Sequence, residues 1–424
     1  MTERITGEAS AEPEPKKRRS DGLARVSEFR ALWVASAQSV LGDQLARVAL
    51  SLLVFERTES AGWTAATYAL TTLPALLSGV LLSGLADRFP RRTVMIGCDL
   101  VRAALVGLMA LPGTPLPLLA GLLVLAQLAE APFGASQGAL MPAVLGERLY
   151  EQGQRVMLIT HQAGQLVGFA VGGVLVVWLG SHLSLGLNAA TFLISAALIR
   201  LGVKARPVDA GTDARPKRMH TQVGSAVALI WSDPRLRSLV ALGWLAGFIM
   251  LPEGLAAPFA EEAGGSAASV GLLLAAHPAG MVLGAALLGR AGFGAERRRR
   301  LLGPLAVGAN LPLVLYWAGP GVGTALLALV VSGVFSAYQI TAGATFVLLT
   351  PAGQRGQALG LARSGLTAMQ GIGVAAGGLA AELCGSSART IGGAGIVGTL
   401  CAVLVAVSWS RARETGTGTI PLSA

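Results

Sequence analysis

Apolar runs of about twenty residues, separated by short polar bursts, repeat from Phe29 to about residue 410. At 1.5 Å per residue, such a run as a helix matches a hydrocarbon core roughly 30 Å thick. A backbone in hydrocarbon must satisfy its own hydrogen bonds, so each run is predicted to be a membrane-crossing helix. Twelve spans are predicted, at 29–55, 63–86, 93–111, 116–140, 155–178, 183–203, 238–260, 268–290, 301–318, 322–349, 358–382 and 390–410. Several connections are very short, as from Pro112 to Pro115 and from Gly180 to His182. The pattern predicts an all-α integral membrane protein.

Composition agrees. Charged residues make up 13% of the 424, against roughly 25% in soluble domains, and mean hydropathy is +0.62. The 56 glycines suit helices that approach closely where lipid supplies no hydrophobic force between them. Cys98, Cys384 and Cys401 lie in apolar segments, too scattered for a disulfide framework or a zinc site. The net charge of +10 raises the question of nucleic acid, but basic patches interleaved with aromatics are missing. Instead the charge is topological. With the N-terminal tail inside, all but four of the 33 Lys and Arg residues fall on the inner side. Arg57 and Arg389 lie outside, and Arg47 and Arg102 lie within spans. That bias predicts a multi-pass plasma-membrane protein with both termini cytoplasmic.

The longest internal connection, 204–237, splits the chain into two bundles of six spans, 29–203 and 238–410. Polar tails at 1–28 and 411–424 flank them, the first carrying Lys16, Lys17, Arg18 and Arg19 and reading as disordered. A self-comparison at an offset of 205 residues supports a duplication. Gln165, Gly168, Gly172 and Gly173 fall on Gln370, Gly373, Gly377 and Gly378, and Gly79, Gly84 and Arg92 fall on Gly284, Gly289 and Arg297. The two bundles are therefore expected to be pseudo-symmetric.

The loop after span 2 reads Ser83-Gly84-Leu85-Ala86-Asp87-Arg88-Phe89-Pro90-Arg91-Arg92. It resembles the signature of the major facilitator superfamily, Gly-x-Leu-Ala-Asp-Arg-x-Gly-Arg-Arg, with Ser83 and Pro90 in place of two family glycines. In the second half Gly292 stands where the first has Asp87. The resemblance covers residues 29–410. It implies the major facilitator fold, and a conformational latch at Asp87, Arg88, Arg91 and Arg92, with Asp99 and Arg102 within reach. The alternative for the loop is a solvated turn that only sets topology. Residues 38–50 further resemble the first helix of the branch holding macrolide-efflux and siderophore-exporter proteins.

Polar residues inside spans are costly and so informative. Asp43 and Arg47, four apart in span 1, share a helix face, as do Gln127 and Glu130 in span 4. Glu253 lies between Pro252 and Gly254, which interrupt span 7, and Gln339 lies beside Tyr338 in span 10. In the resembling family these four helices line the central cavity. Glu130, Glu253 and Asp43 are the proton-coupling candidates, in that order, because intramembrane carboxyl groups can load and release protons. Arg47, Gln127, Gln339, Tyr338 and Phe133 are the substrate-cavity candidates. Equally, Asp43 and Arg47 could be a neutralised intrahelical pair, and the glutamines could be interhelical glue. His161 and His277 could titrate or simply pack.

The expected function is secondary active transport, with proton-coupled efflux of a small organic molecule (a drug, antibiotic or siderophore-like metabolite) by alternating access. The alternatives are uptake by the same fold and a non-transporting receptor. The sequence holds no ATP-binding G-x-x-x-x-G-K-[ST] run and no H-E-x-x-H, so an enzyme is not expected. Neither cofactor nor metal is called for. Expected partners are the solute, protons and lipid, with no nucleic acid, and the chain is expected to be a monomer.

Overall fold

The computed structural model describes residues 22–74, 89–206, 219–290, 294–351 and 354–415, and among them no strand occurs. The N-terminal half comprises α1 (Ser27–Thr58), α2 (Ala61–Leu70), α3 (Arg91–Met109), α4 (Leu116–Leu128) and α5 (Glu130–Gly202). The long α5 is three helices in line, because Gly146 and Gly180 adopt φ of 62° and 76° inside it. Glycine reaches that left-handed region without the Cβ clash other residues meet, so each site turns the chain. Pairs of helices therefore cross back over short corners.

A helix appears in the connection where a loop was expected: α6 (Met219–Ser232). Its Ile230 is buried and its Leu229 packs against the same cluster, which explains why this stretch is helical. The seventh span is not one rod but four pieces, α7 (Pro234–Trp244), α8 (Ala246–Ile249), α9 (Leu251–Gly254) and α10 (Ala256–Glu262). Then follow α11 (Ala267–Arg290), α12 (Ala295–Asn310) with a 3₁₀ extension over Leu311–Ala318, α13 (Val322–Ser336), α14 (Tyr338–Leu349), α15 (Arg355–Cys384) and α16 (Ser387–Thr415). Eight helices among the described residues are long and apolar enough to cross a membrane. With the shorter and more charged elements, the arrangement accommodates twelve crossings.

Apolar packing divides the molecule unevenly. One cluster joins both halves: Val48, Leu52, Ala65, Tyr68 and Phe169 pack in it together with Leu255, Phe259, Leu274 and Ala381. A second cluster draws on the C-terminal half alone, through Leu236, Leu242, Leu302, Phe346 and Trp409. A third draws on the N-terminal half alone, through Phe29, Leu32, Met95, Leu140 and Ile199. The two single-half clusters lie at the end that carries the outset of α1 and the close of α16. The halves are thus fused at the far end and separate at the terminus-bearing end.

The repeated Gln-x-x-Gly-x-x-x-Gly-Gly run lies where the fused halves touch. A Cβ on Gly173 of α5 would come within 2.7 Å of the Gly271 backbone in α11. In the second copy, a Cβ on Gly378 of α15 would strike Ala65 of α2. Small residues are required there because helix backbones meet almost directly.

At the terminus-bearing end, Glu28 clasps the close of α5. It accepts from Arg206 Nη1 at 2.7 Å and Nη2 at 3.2 Å, and from the Lys204 N–H at 3.3 Å. Burial pushes its carboxyl up, but the Arg206 and Lys204 contacts outweigh that and hold it below the usual carboxylate range.

Candidate functional site

A line of charge crosses the N-terminal half and reaches into the other. It begins at Asp99 and Arg102 on α3, three residues apart and so on one face. Their ion pair is 2.5 Å long, with the Asp99 side chain 0% and the Arg102 side chain 7% exposed. The Arg102 guanidinium lies between two rings, 4.7 Å from the Phe133 centroid and 4.4 Å from the Phe192 centroid. Such stacking suits a planar, weakly hydrated cation. Asp43 on α1 is next, within the field of Arg102, Glu130 and Arg47 and beside the Asn188 amide. Arg47, one turn on, is in electrostatic contact with Tyr68, Glu130, Asp43 and Glu253. The line ends at Glu253 of α9, which accepts a hydrogen bond from the Tyr68 hydroxyl across the junction of the halves.

The start of this line, at Asp99 and Arg102, is buried, and its later members are more open. Asp43 and Arg47 are half-buried, whereas Glu130 and His161 are exposed. His161 lies within the field of Glu130 and Arg47, and its ring is 3.3 Å from Gln165 Nε2. One cation, Arg47, and three carboxyl groups, Asp43, Glu130 and Glu253, thus lie along one line.

The expected site residues fall as follows. Asp99 and Arg102 lie at the ninth and twelfth positions of the nineteen-residue α3, buried and paired with each other. Phe133 belongs to the Arg102 stack. Tyr338 is 0% exposed and donates to the Leu242 carbonyl at 2.7 Å, a strut between α14 and α7. Gln127 donates to the Thr71 carbonyl, binding α4 to the close of α2. Gln339 is half-buried at the outset of α14. Arg91 donates to the Ala139 carbonyl at 2.8 Å and Arg92 to that of Arg200, both within the N-terminal half. Asp87 and Arg88 lie outside the described residues. His277 is buried and paired with Ser336 at 3.1 Å. Gly134 to Gly138 spell G-x-S-x-G, but within one helix and with Ser136 0% exposed, so no nucleophile elbow forms.

Tyr68, Asn188 and Phe192 were not singled out as partners of these charges. A tyrosine or asparagine in an otherwise apolar span was the available signal.

Two helical halves fused at one end, with a line of charge running through one and into the other, form the architecture of a multi-pass membrane transporter. Residues 32–253 match the family model of the Major Facilitator Superfamily, and the chain belongs to that superfamily. The enterobactin exporter EntS of Escherichia coli O1:K1 / APEC is 28% identical over 410 residues, covering 91% of this chain and 94% of that protein. Among solved structures, the nucleoside transporter NupG superposes with a TM-score of 0.72 at 15% identity, covering 91% of this chain and 99% of the other. A bacterial homolog of the human lysosomal transporter Spinster, in an inward-facing and occupied conformation, superposes with a TM-score of 0.70 at 15% identity, covering 91% and 96%. Both likenesses are of fold.

Proposed function

We propose that the protein exports a small organic molecule, siderophore-like in chemistry, across the cell membrane in exchange for protons. The observation that carries this reading is the charge line from Asp43 through Arg47 and Glu130 to Glu253, polar groups costly inside membrane spans. We place the terminus-bearing end in the cytoplasm, from the excess of Lys and Arg there. The bundles 29–203 and 238–410 then rock about the fused end, with 204–237 as the cytoplasmic tether.

In this reading Glu130 carries the proton, because it is the exposed one of the three carboxyl groups that share the field of Arg47. When Glu130 is neutral, Arg47 is left to Asp43 and Glu253, and the cavity gives up its solute on the outer side. When Glu130 is ionised and the cavity opens inward, Arg47 is drawn back and a solute enters. Likeness to EntS supports export. Uptake is the second reading, and the direction of flux separates the two.

The orientation has its own check. Single cysteines at Glu59 and Glu261 are expected to react with a membrane-impermeant maleimide in intact cells, and one at Arg298 to stay protected. Labelling of residue 298 from outside would invert the assignment.

A further inference from the structure

We propose that Glu382 is a positioning residue of the transport cycle, a latch that caps a helix of the opposite half when the outer side is closed. The first N–H groups of a helix lack intrahelical partners and form its positive end. At the N-terminus of α2, Ser60 Oγ serves the Trp63 N–H at 3.2 Å. The Gly62 N–H instead donates across the junction to Glu382 Oε2 at 3.0 Å, and the Ser60 hydroxyl donates to the same oxygen at 2.8 Å. Within its own half Glu382 is badly placed, in the last turn of α15, where the helix end is negative. Closure therefore exchanges an unfavourable helix end for a favourable one.

Like charges oppose that closure. Glu59, Glu261 and Glu262 line the same outer cavity, of about 410 Å³. Glu262 is partly neutralised by the N-terminus of α16, accepting from the Ser387 N–H at 2.8 Å and the Ala388 N–H at 3.1 Å. The remaining crowding leaves the joint poised, with Glu382 tipping it shut. In the symmetry-related junction, at an offset of 205 residues, Val177 takes the place of Glu382. The latch thus belongs to one of the two closing faces. The Tyr68–Glu253 bond also joins the halves, and it lies deeper on the same helix.

The test is a distance measurement by pulsed electron paramagnetic resonance. Spin labels go on cysteines replacing the exposed, uncharged Trp63 and Ser266, one on each half, in a background with Cys98, Cys384 and Cys401 changed to serine. The parent is expected to populate mainly a short distance. Glu382→Ala is expected to shift the ratio of short to long distances about tenfold toward long, the scale of a lost charge-assisted hydrogen bond. Glu382→Gln, which keeps the shape without the charge, should fall between. Should the alanine variant not fold, Glu382→Gln and Ser60→Ala decide by the same readout. Distance distributions that superimpose on the parent's would overturn the latch. The readout needs neither solute nor proton gradient, so failure of the export reading would leave the latch standing.

Discussion

Arg102→Ala is expected to leave little folded protein in the membrane. The substitution strands the fully buried Asp99, and an unpaired buried charge of that kind costs about 3–5 kcal/mol. It also empties the space between Phe133 and Phe192, where a desolvated cation–π contact is worth about 2 kcal/mol. Together these approach the whole of a typical folding free energy of about 5–15 kcal/mol. Replacing both partners, Asp99→Leu with Arg102→Met, should recover part of the loss because no charge is then stranded. The measurement is the fraction of detergent-extracted protein that elutes as one monodisperse species. If Arg102→Ala elutes like the parent, the pair is not structural.

The second large effect falls on coupling. Glu130→Gln should abolish accumulation of solute against its gradient while downhill exchange continues, since the variant keeps the cavity's shape and loses its proton carrier. Asp43→Asn should insert well, because Arg47 keeps Glu130 and Glu253 as counter-charges. Normal pumping by Glu130→Gln, with Asp43→Asn inserted but uncoupled, would transfer the proton to α1.

Much of this was legible because membrane sequences are simple. Span length, Lys and Arg placement and the repeated Gln-Gly motif each report one physical constraint. The interruption at Pro252–Gly254 was readable for the same reason, and α9 is indeed a separate short helix. What local spacing conceals is which distant helix supplies a partner. Asp43 and Arg47 read as an isolated pair four residues apart, yet Arg102, Glu130, Tyr68 and Glu253 all bear on them from other helices. That Asp99 and Arg102 would be buried, with Arg102 between Phe133 and Phe192, was not readable either, because depth in the bundle is not written in a one-dimensional pattern. Glu382 has partners more than 300 positions away, which no local spacing reveals.

The central claim is uphill export driven by protons, and one measurement bears on it most directly. Purified protein is reconstituted with its cytoplasmic side facing the bath, the vesicle lumen is made acid, and enterobactin is added outside as the probe. The account predicts accumulation in the lumen above the bath concentration, collapse of that excess by a protonophore, and its loss in Glu130→Gln. Accumulation that survives the protonophore, or movement of the probe in the opposite direction under the same gradient, would contradict it.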